Sequence, residues 1–283
     1  MTTRIITFEE RVTEPRGVHA LIAGPYGVGK TSLVRKLNPL STLFIDAEDG
    51  GLAINDVPVP HIRPKTWPSM RDLAVRIAGP NPSFGKNEPY SQEHFDRVGG
   101  YLPGIEKVRT VVWDSMTETS RLCFRHSSAQ PETLSERTGK PDLRSAYGLH
   151  ARELLLMSRH LQSASGLNII LTCGLETIVD DFGRITHQLQ MEGQRVPREI
   201  PGIVDLVITM ASIDFGDGKP VRAFVCTSPN PWNYPAKDRS GKLEQIEKPD
   251  LGALIAKILP PVANHQGGVA ETNVITPNDG QQS

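Results

Sequence analysis

The 283-residue chain sets 31 Lys+Arg against 32 Asp+Glu, a net charge of −1. No bulk basic field therefore marks it as a nucleic-acid binder, and any such contact needs a local patch. Its 38% hydrophobic content excludes a disordered chain and is enough for a packed core, in one large α/β domain or two small ones.

Cys123, Cys173 and Cys226 are scattered with no C-x-x-C pair, which argues against a disulfide framework or zinc site and for a reducing compartment. No run approaches the ~18 apolar residues of a membrane span, so the expectation is a cytoplasmic protein without membrane contact.

In chain order, a polar lead-in over 1–17 contains an expected edge strand, Arg4–Phe8. Val18–Ala23 is the first predicted buried strand. It runs into Gly24-Pro25-Tyr26-Gly27-Val28-Gly29-Lys30-Thr31-Ser32, which fits G-x-x-x-x-G-K-[ST]. Backbone N–H groups can wrap a polyphosphate only where the chain curls tightly, and Gly24, Gly27 and Gly29 lack the Cβ that would block the curl. Lys30 is a mobile charge suited to the β- and γ-phosphates, and the Thr31 hydroxyl suits Mg²⁺. A helix starting at Thr31 and stopping by Pro39 would point its positive end at the same phosphates. The pattern implies nucleotide binding; hydrolysis is a separate expectation.

The next predicted strand, Thr42–Ile45, runs into an acidic turn, Asp46-Ala47-Glu48-Asp49-Gly50-Gly51. Strand carboxyl ends face the ligand crevice in an α/β sheet, so these acids are expected near the phosphates. A helix is predicted over Ser69–Ala78, followed by a long polar excursion over 79–104. Loops of that length are either functional or disordered.

Val108–Trp113 is the third strong strand, closed by Asp114 and Ser115. An apolar run ending in Asp has the form of a Walker B element, with Asp114 as a Mg²⁺ ligand; Asp114 could equally cap the following helix, Met116–Arg125. A second helix is predicted over Ala146–Ala164, then a fourth core strand, Leu167–Cys173, with Thr172 near its tip. A hairpin or mobile loop over Thr177–Pro201 leads to strands at Val204–Met210 and Val221–Cys226. Lys237 and Arg239 follow in an extended segment, and their spacing points both side chains the same way. A helix over Asp250–Ile258 ends the core at 259, and 260–283 is expected to be disordered.

This order of parts resembles the RecA-like P-loop NTPases, over about residues 18–258. The likeness implies an α/β fold: a mostly parallel central sheet flanked by helices, with a C-terminal antiparallel strand extension. Phe44-Ile45-Asp46-Ala47-Glu48 is similar to the recombinase segment whose glutamate activates the attacking water, which makes Glu48 catalytic alongside Lys30. Lys237-Asp238-Arg239 resembles the lysine-x-arginine finger of hexameric RecA-fold helicases, which implies a homo-oligomer acting in trans.

In length and layout the chain resembles the small phage-encoded ATPases that assist single-strand annealing. That likeness implies ATP and Mg²⁺ as ligands, single-stranded DNA as substrate, and a single-strand-binding protein or annealase as partner. A mild basic excess including Arg121, Arg125, Arg137, Lys140 and Arg144 would supply the DNA contact. The recombinase glutamine after the fourth strand is missing, since the chain there reads Cys173-Gly174-Leu175-Glu176. A small-molecule kinase and an adaptor that binds ATP without turnover are the competing readings.

Overall fold

The computed structural model describes residues 5–135, 137–140, 142–179 and 181–259. Alternation along the first core strand sets the architecture. In β1 (His19–Gly24), Leu21 and Ala23 pack into one hydrophobic cluster while Ala20 and Ile22 pack into another. A strand with apolar residues on both faces must be covered on both sides, which is the signature of a central parallel strand.

The sheet grows around β1. After it come β2 (Thr42–Asp46), β3 (His61–Ile62), α2 (Trp67–Ala78), α3 (Gln92–Arg97), β4 (Thr110–Asp114), α4 (Met116–Ser128) and α5 (Leu143–Gln162). The second half holds β5 (Asn168–Val179), β6 (Ile185–Leu189), α6 (Arg195–Ile203), β7 (Leu206–Ile213), β8 (Val221–Val225), β9 (Lys237–Asp238), β10 (Ile246–Glu247) and α7 (Leu251–Ile258).

The strand order is β10-β8-β7-β1-β5-β4-β2-β3, with β6 on β5 and β9 on β7. From β3 through β7 the pairings along this path are parallel, and β6, β8, β9 and β10 pair antiparallel. This is the expected RecA-like P-loop NTPase fold: β5 is inserted between the loop-bearing β1 and the Asp-bearing β4, and antiparallel strands extend the C-terminal side. Residues from α2, α4, α5 and α6 build the core on one face around Trp67, Trp113 and Leu154; α7 and the segment after the loop build the other. Full burial of a side chain the size of Leu154 stabilises the fold by about 2–3 kcal/mol.

Several elements differ from expectation. Residues 5–7 are not strand, and Phe8–Thr13 forms a short helix, α1. A reciprocal capping box explains it: the Glu10 N–H donates to Thr7 Oγ1 at 3.3 Å, and the Thr7 N–H donates to Glu10 Oε2 at 3.0 Å. Arg4 lies outside the described residues. After the loop, Thr31–Lys36 forms a 3-10 turn of 6 residues in place of an α-helix. Pro39 follows closely and β2 begins at Thr42, so the segment is too short to propagate, and short pieces adopt the tighter i→i+3 ladder.

The 79–104 excursion is packed against the core. Tyr90 is 1% exposed and stacks on His160 at 4.2 Å, and His94 Nε2 lies 2.7 Å from Asp72 Oδ1. The 177–201 stretch is a β5–β6 hairpin followed by α6. The expected disordered tail, 260–283, lies outside the described residues.

Candidate nucleotide site

The loop from Gly24 to Ser32 leaves the carboxyl end of β1. Gly24 is required by close approach, because a Cβ there would lie 2.5 Å from the Met210 carbonyl oxygen of neighbouring β7. Gly27 and Gly29 turn the chain at φ of 75° and 105°, which other residues rarely adopt. Val28 is 6% exposed and anchors the loop in the core between these two turns. Because the following 3-10 turn is short, the anion-binding capacity rests on the loop N–H groups and on Lys30, and the expected contribution of a long helix dipole drops out.

The Lys30 ammonium donates to the carbonyls of Gly24 at 2.8 Å and Pro25 at 3.0 Å. Burial pulls its pKa below the ordinary lysine value, and Asp114, Cys173 and Glu48 partly offset that.

Asp114 closes β4 and is 2% exposed. Thr31 Oγ1 donates to its Oδ2 at 2.7 Å, and Thr172 Oγ1, on adjacent β5, donates to its Oδ1. Burial raises the Asp114 pKa, against the pull of these two hydroxyls and in line with repulsion from Glu48. A buried carboxylate held by two hydroxyls and facing an ammonium has the electrostatic profile of a group that awaits a cation.

The acidic turn after β2 sorts its carboxylates by partner. Asp46, 1% exposed, accepts from the Gly50 N–H at 3.0 Å and from Arg63 Nε at 3.1 Å. Asp49 pairs with Lys65 and lies 3.6 Å from Arg63. Glu48 has neither basic partner: its Oε1 accepts from Ser115 Oγ, and it lines the pocket opposite Lys30. The Ala47 N–H donates to the Asp114 carbonyl at 2.7 Å, which locks the β2 turn to the end of β4.

The resulting cavity, about 240 Å³, is lined by Tyr26, Gly27, Gly29, Lys30, Thr31, Ser32, Glu48, Ala53, Asp114 and Gly174. The loop, Asp114 and Glu48 thus meet in one place. Its donors fit a magnesium-bound triphosphate: a hydroxyl and one carboxylate leave most of a hard cation's shell to water and phosphate oxygens. Among the described residues no group of three or more His, Cys, Asp or Glu could hold a metal ion.

Sequence reasoning assigned no role to Ser115, Gln190 or Arg222. Ser115, which positions Glu48, was readable as the residue after the Walker B aspartate; the other two carry no local signal. Gln190 packs over Gly174, where a Cβ would lie 2.4 Å from its Oε1, and that oxygen accepts from Tyr26 Oη at 2.5 Å.

Lys237 and Arg239 are not brought to this pocket. The Lys237 ammonium donates to the carbonyls of Pro201 at 2.6 Å and Val204 at 2.7 Å. Arg239 donates to the Gly202 carbonyl at 2.7 Å and lies 3.5 Å from Asp205. The Arg239 N–H reaches the Asp205 carbonyl, and the Asp205 N–H donates to the His19 carbonyl, so the pair stands at the start of β1. A six-residue strand separates it from the loop, roughly 17 Å at ~3.3 Å per residue. Arg239 lines a larger concavity of about 780 Å³ there, with Arg16, Arg159 and Lys242. Within one chain the pair takes no part in the phosphate pocket; contact with a neighbour's phosphates is the only form the expected finger role can take.

Fold and pocket together define a P-loop nucleotide-binding core. A family model described as "AAA domain" matches residues 16–240, and the chain belongs to that family. No curated protein matches the chain in sequence.

Among solved structures, a KaiC-like protein from the hyperthermophilic archaeon Pyrococcus horikoshii OT3 shares 13% identity at a TM-score of 0.38, covering 78% of this chain and 84% of that one. The flagellar accessory protein FlaH from Methanocaldococcus jannaschii shares 12% at 0.35, covering 81% and 87%. The RadB recombinase shares 13% at 0.35, covering 75% and 81%. None of these likenesses bears on what this chain binds. No described helix is long and apolar enough to cross a membrane.

Proposed function

We propose that this chain is a Mg²⁺-dependent ATPase whose turnover is coupled to single-stranded DNA. The observation that carries the ATPase reading is the meeting of Lys30, Thr31, Asp114 and Glu48 around one cavity, from three separate segments. Lys30 exchanges its loop carbonyls for phosphate oxygens, and Thr31 and Asp114 hold the cation. Bound Mg²⁺ supplies charge neutralisation at the β- and γ-phosphates. Glu48, oriented by Ser115, polarises the attacking water. Positioning and charge stabilisation carry most of the acceleration, since the transition state is loose.

The coupling to DNA is supported by α4, which starts directly after Asp114 and Ser115. Antiparallel packing of α4 on α5, fixed by a Ser120–His150 hydrogen bond of 3.0 Å and a Phe124–Tyr147 stack of 4.4 Å, sets Arg125 and Arg144 near the α4–α5 connection. Arg125, Arg137, Lys140 and Arg144 are exposed, and half-exposed Tyr147 lies among them. Cations interleaved with aromatics suit a phosphate backbone with stacked bases.

ATP turnover measured against protein concentration, with and without an oligonucleotide, tests this reading. Stimulation by single strands that fades with rising salt is expected. Dependence on a small-molecule acceptor would replace it with a kinase, and binding without turnover would replace it with an adaptor.

A further inference from the structure

The loop has two unlike flanks. On the β5 side stand Thr172, Asp114 and Glu48, from β5, β4 and the turn after β2. On the β7 side, β8 carries Arg222, paired in register with Ser212 of β7. The Arg222 guanidinium reaches the loop itself: a Cβ at Gly29 would lie 3.1 Å from Nη1 and 3.7 Å from Cζ.

Among the described residues no group forms a hydrogen bond or ion pair with this guanidinium. The nearby acids of the β7–β8 turn are engaged elsewhere. Asp214 Oδ1 accepts from the N–H groups of Gly216 at 2.8 Å and Gly218 at 3.1 Å, and Asp217 Oδ1 accepts from that of Lys219 at 3.1 Å. An unpaired guanidinium held against the backbone of an anion-binding loop is a phosphate donor in waiting.

We propose that Arg222 binds the α-phosphate of the nucleotide and so fixes the direction in which the triphosphate crosses the loop. This rests on the nucleotide-binding reading above. The terminal phosphates belong on the carboxylate flank, where a cation offsets Asp114. The other end of the chain then falls on the guanidinium flank. The reversed orientation would set the α-phosphate against Asp114 and Glu48 without a cation between them, and the repulsion is least screened at Asp114, which is buried. The planar fork of Arg222 offers two parallel N–H donors to one phosphate, which a lysine does not.

The test is equilibrium binding of the non-hydrolysable ATP analogue AMPPNP, of ADP and of inorganic pyrophosphate, all with Mg²⁺, to the full chain and to Arg222→Ala and Arg222→Lys. Arg222→Ala should weaken AMPPNP and ADP alike, on the order of 10-fold, as expected for one charge-assisted contact. Arg222→Lys should recover only part of that, and pyrophosphate, which lacks an α-phosphate, should bind all proteins equally. An unchanged unfolding midpoint for nucleotide-free Arg222→Ala would show that the effect is local. Unchanged AMPPNP affinity in Arg222→Ala overturns the assignment, as does an equal loss for pyrophosphate, which would mean a diffuse field only. If the unaltered chain binds none of the three, the nucleotide-binding reading itself fails.

Discussion

The two ends of β1 carry the two groups of residues that the sequence marks for phosphate chemistry, and they differ in what their charges are doing. At the carboxyl end, Lys30, Asp114 and Glu48 sit within one pocket, and their local partners are loop carbonyls and hydroxyls that a ligand can displace or share. At the amino end, Lys237 and Arg239 are committed to the carbonyls of Pro201, Gly202 and Val204, and so tie β9 to the end of α6. Similar charged residues line a cavity at one end and hold main chain together at the other. The difference lies in whether the partners line a shared cavity: the carbonyls that hold Lys30 belong to the loop that forms the pocket, whereas those that hold Lys237 and Arg239 lie at the end of α6.

The largest expected effect that sharpens this contrast is at Glu48. Glu48→Gln should retain ATP binding and lose turnover by about 10²–10⁴-fold, the usual reach of a positioned general base. Steady-state hydrolysis alongside equilibrium binding decides it, and undiminished turnover removes Glu48 from the role. Asp114→Asn should weaken Mg²⁺·ATP binding while leaving metal-free nucleotide binding much less affected, as titration with and without EDTA will show.

At the other end, Lys237→Met should cost about 1–3 kcal/mol of stability, because two main-chain carbonyls lose a charged donor. Nucleotide binding by the folded fraction should stay constant, as denaturant unfolding and binding titrations will report. Arg239→Ala should cost less, about 0–1 kcal/mol, since its Asp205 pair is partly solvated. A turnover defect in Arg239→Ala that deepens as protein concentration rises would break the comparison and place the guanidinium at a neighbour's γ-phosphate.

A pH-dependent background belongs to neither end of β1 and comes from the helix Leu143–Gln162. Burial lowers the pKa of His150 and His160 from 6.5 to about 4. Between those values the unfolded chain binds protons that the folded chain does not, so stability should fall as pH drops from 6.5 toward 4 and level off below. Each histidine contributes up to about 3 kcal/mol over that range. His160→Phe, which keeps a ring against Tyr90, should remove roughly half of the slope in unfolding free energy against pH.

Local chemistry made the loop legible, because a glycine-rich curl followed by Lys and Thr is a constraint on neighbouring residues. The same holds for Asp114 at the end of an apolar strand and for the apolar runs that marked the buried strands. The 3-10 turn after the loop was not legible, because its length depends on where Pro39 and β2 interrupt it. Neither was the placement of Gln190, whose approach to Tyr26 depends on a hairpin returning to Gly174.

The sequence by itself determined the phosphate loop, the order of the buried strands and the presence of acids at their tips, since each is set by residues adjacent along the chain. Only the tertiary structure decided which acid faces the pocket. Arg63 and Lys65 take Asp46 and Asp49, and Glu48 is left to the pocket. It also decided that Lys237 and Arg239 face away from their own loop while Arg222 faces it. Strand register sets both outcomes, and register is a relation between distant segments that no single stretch of residues encodes.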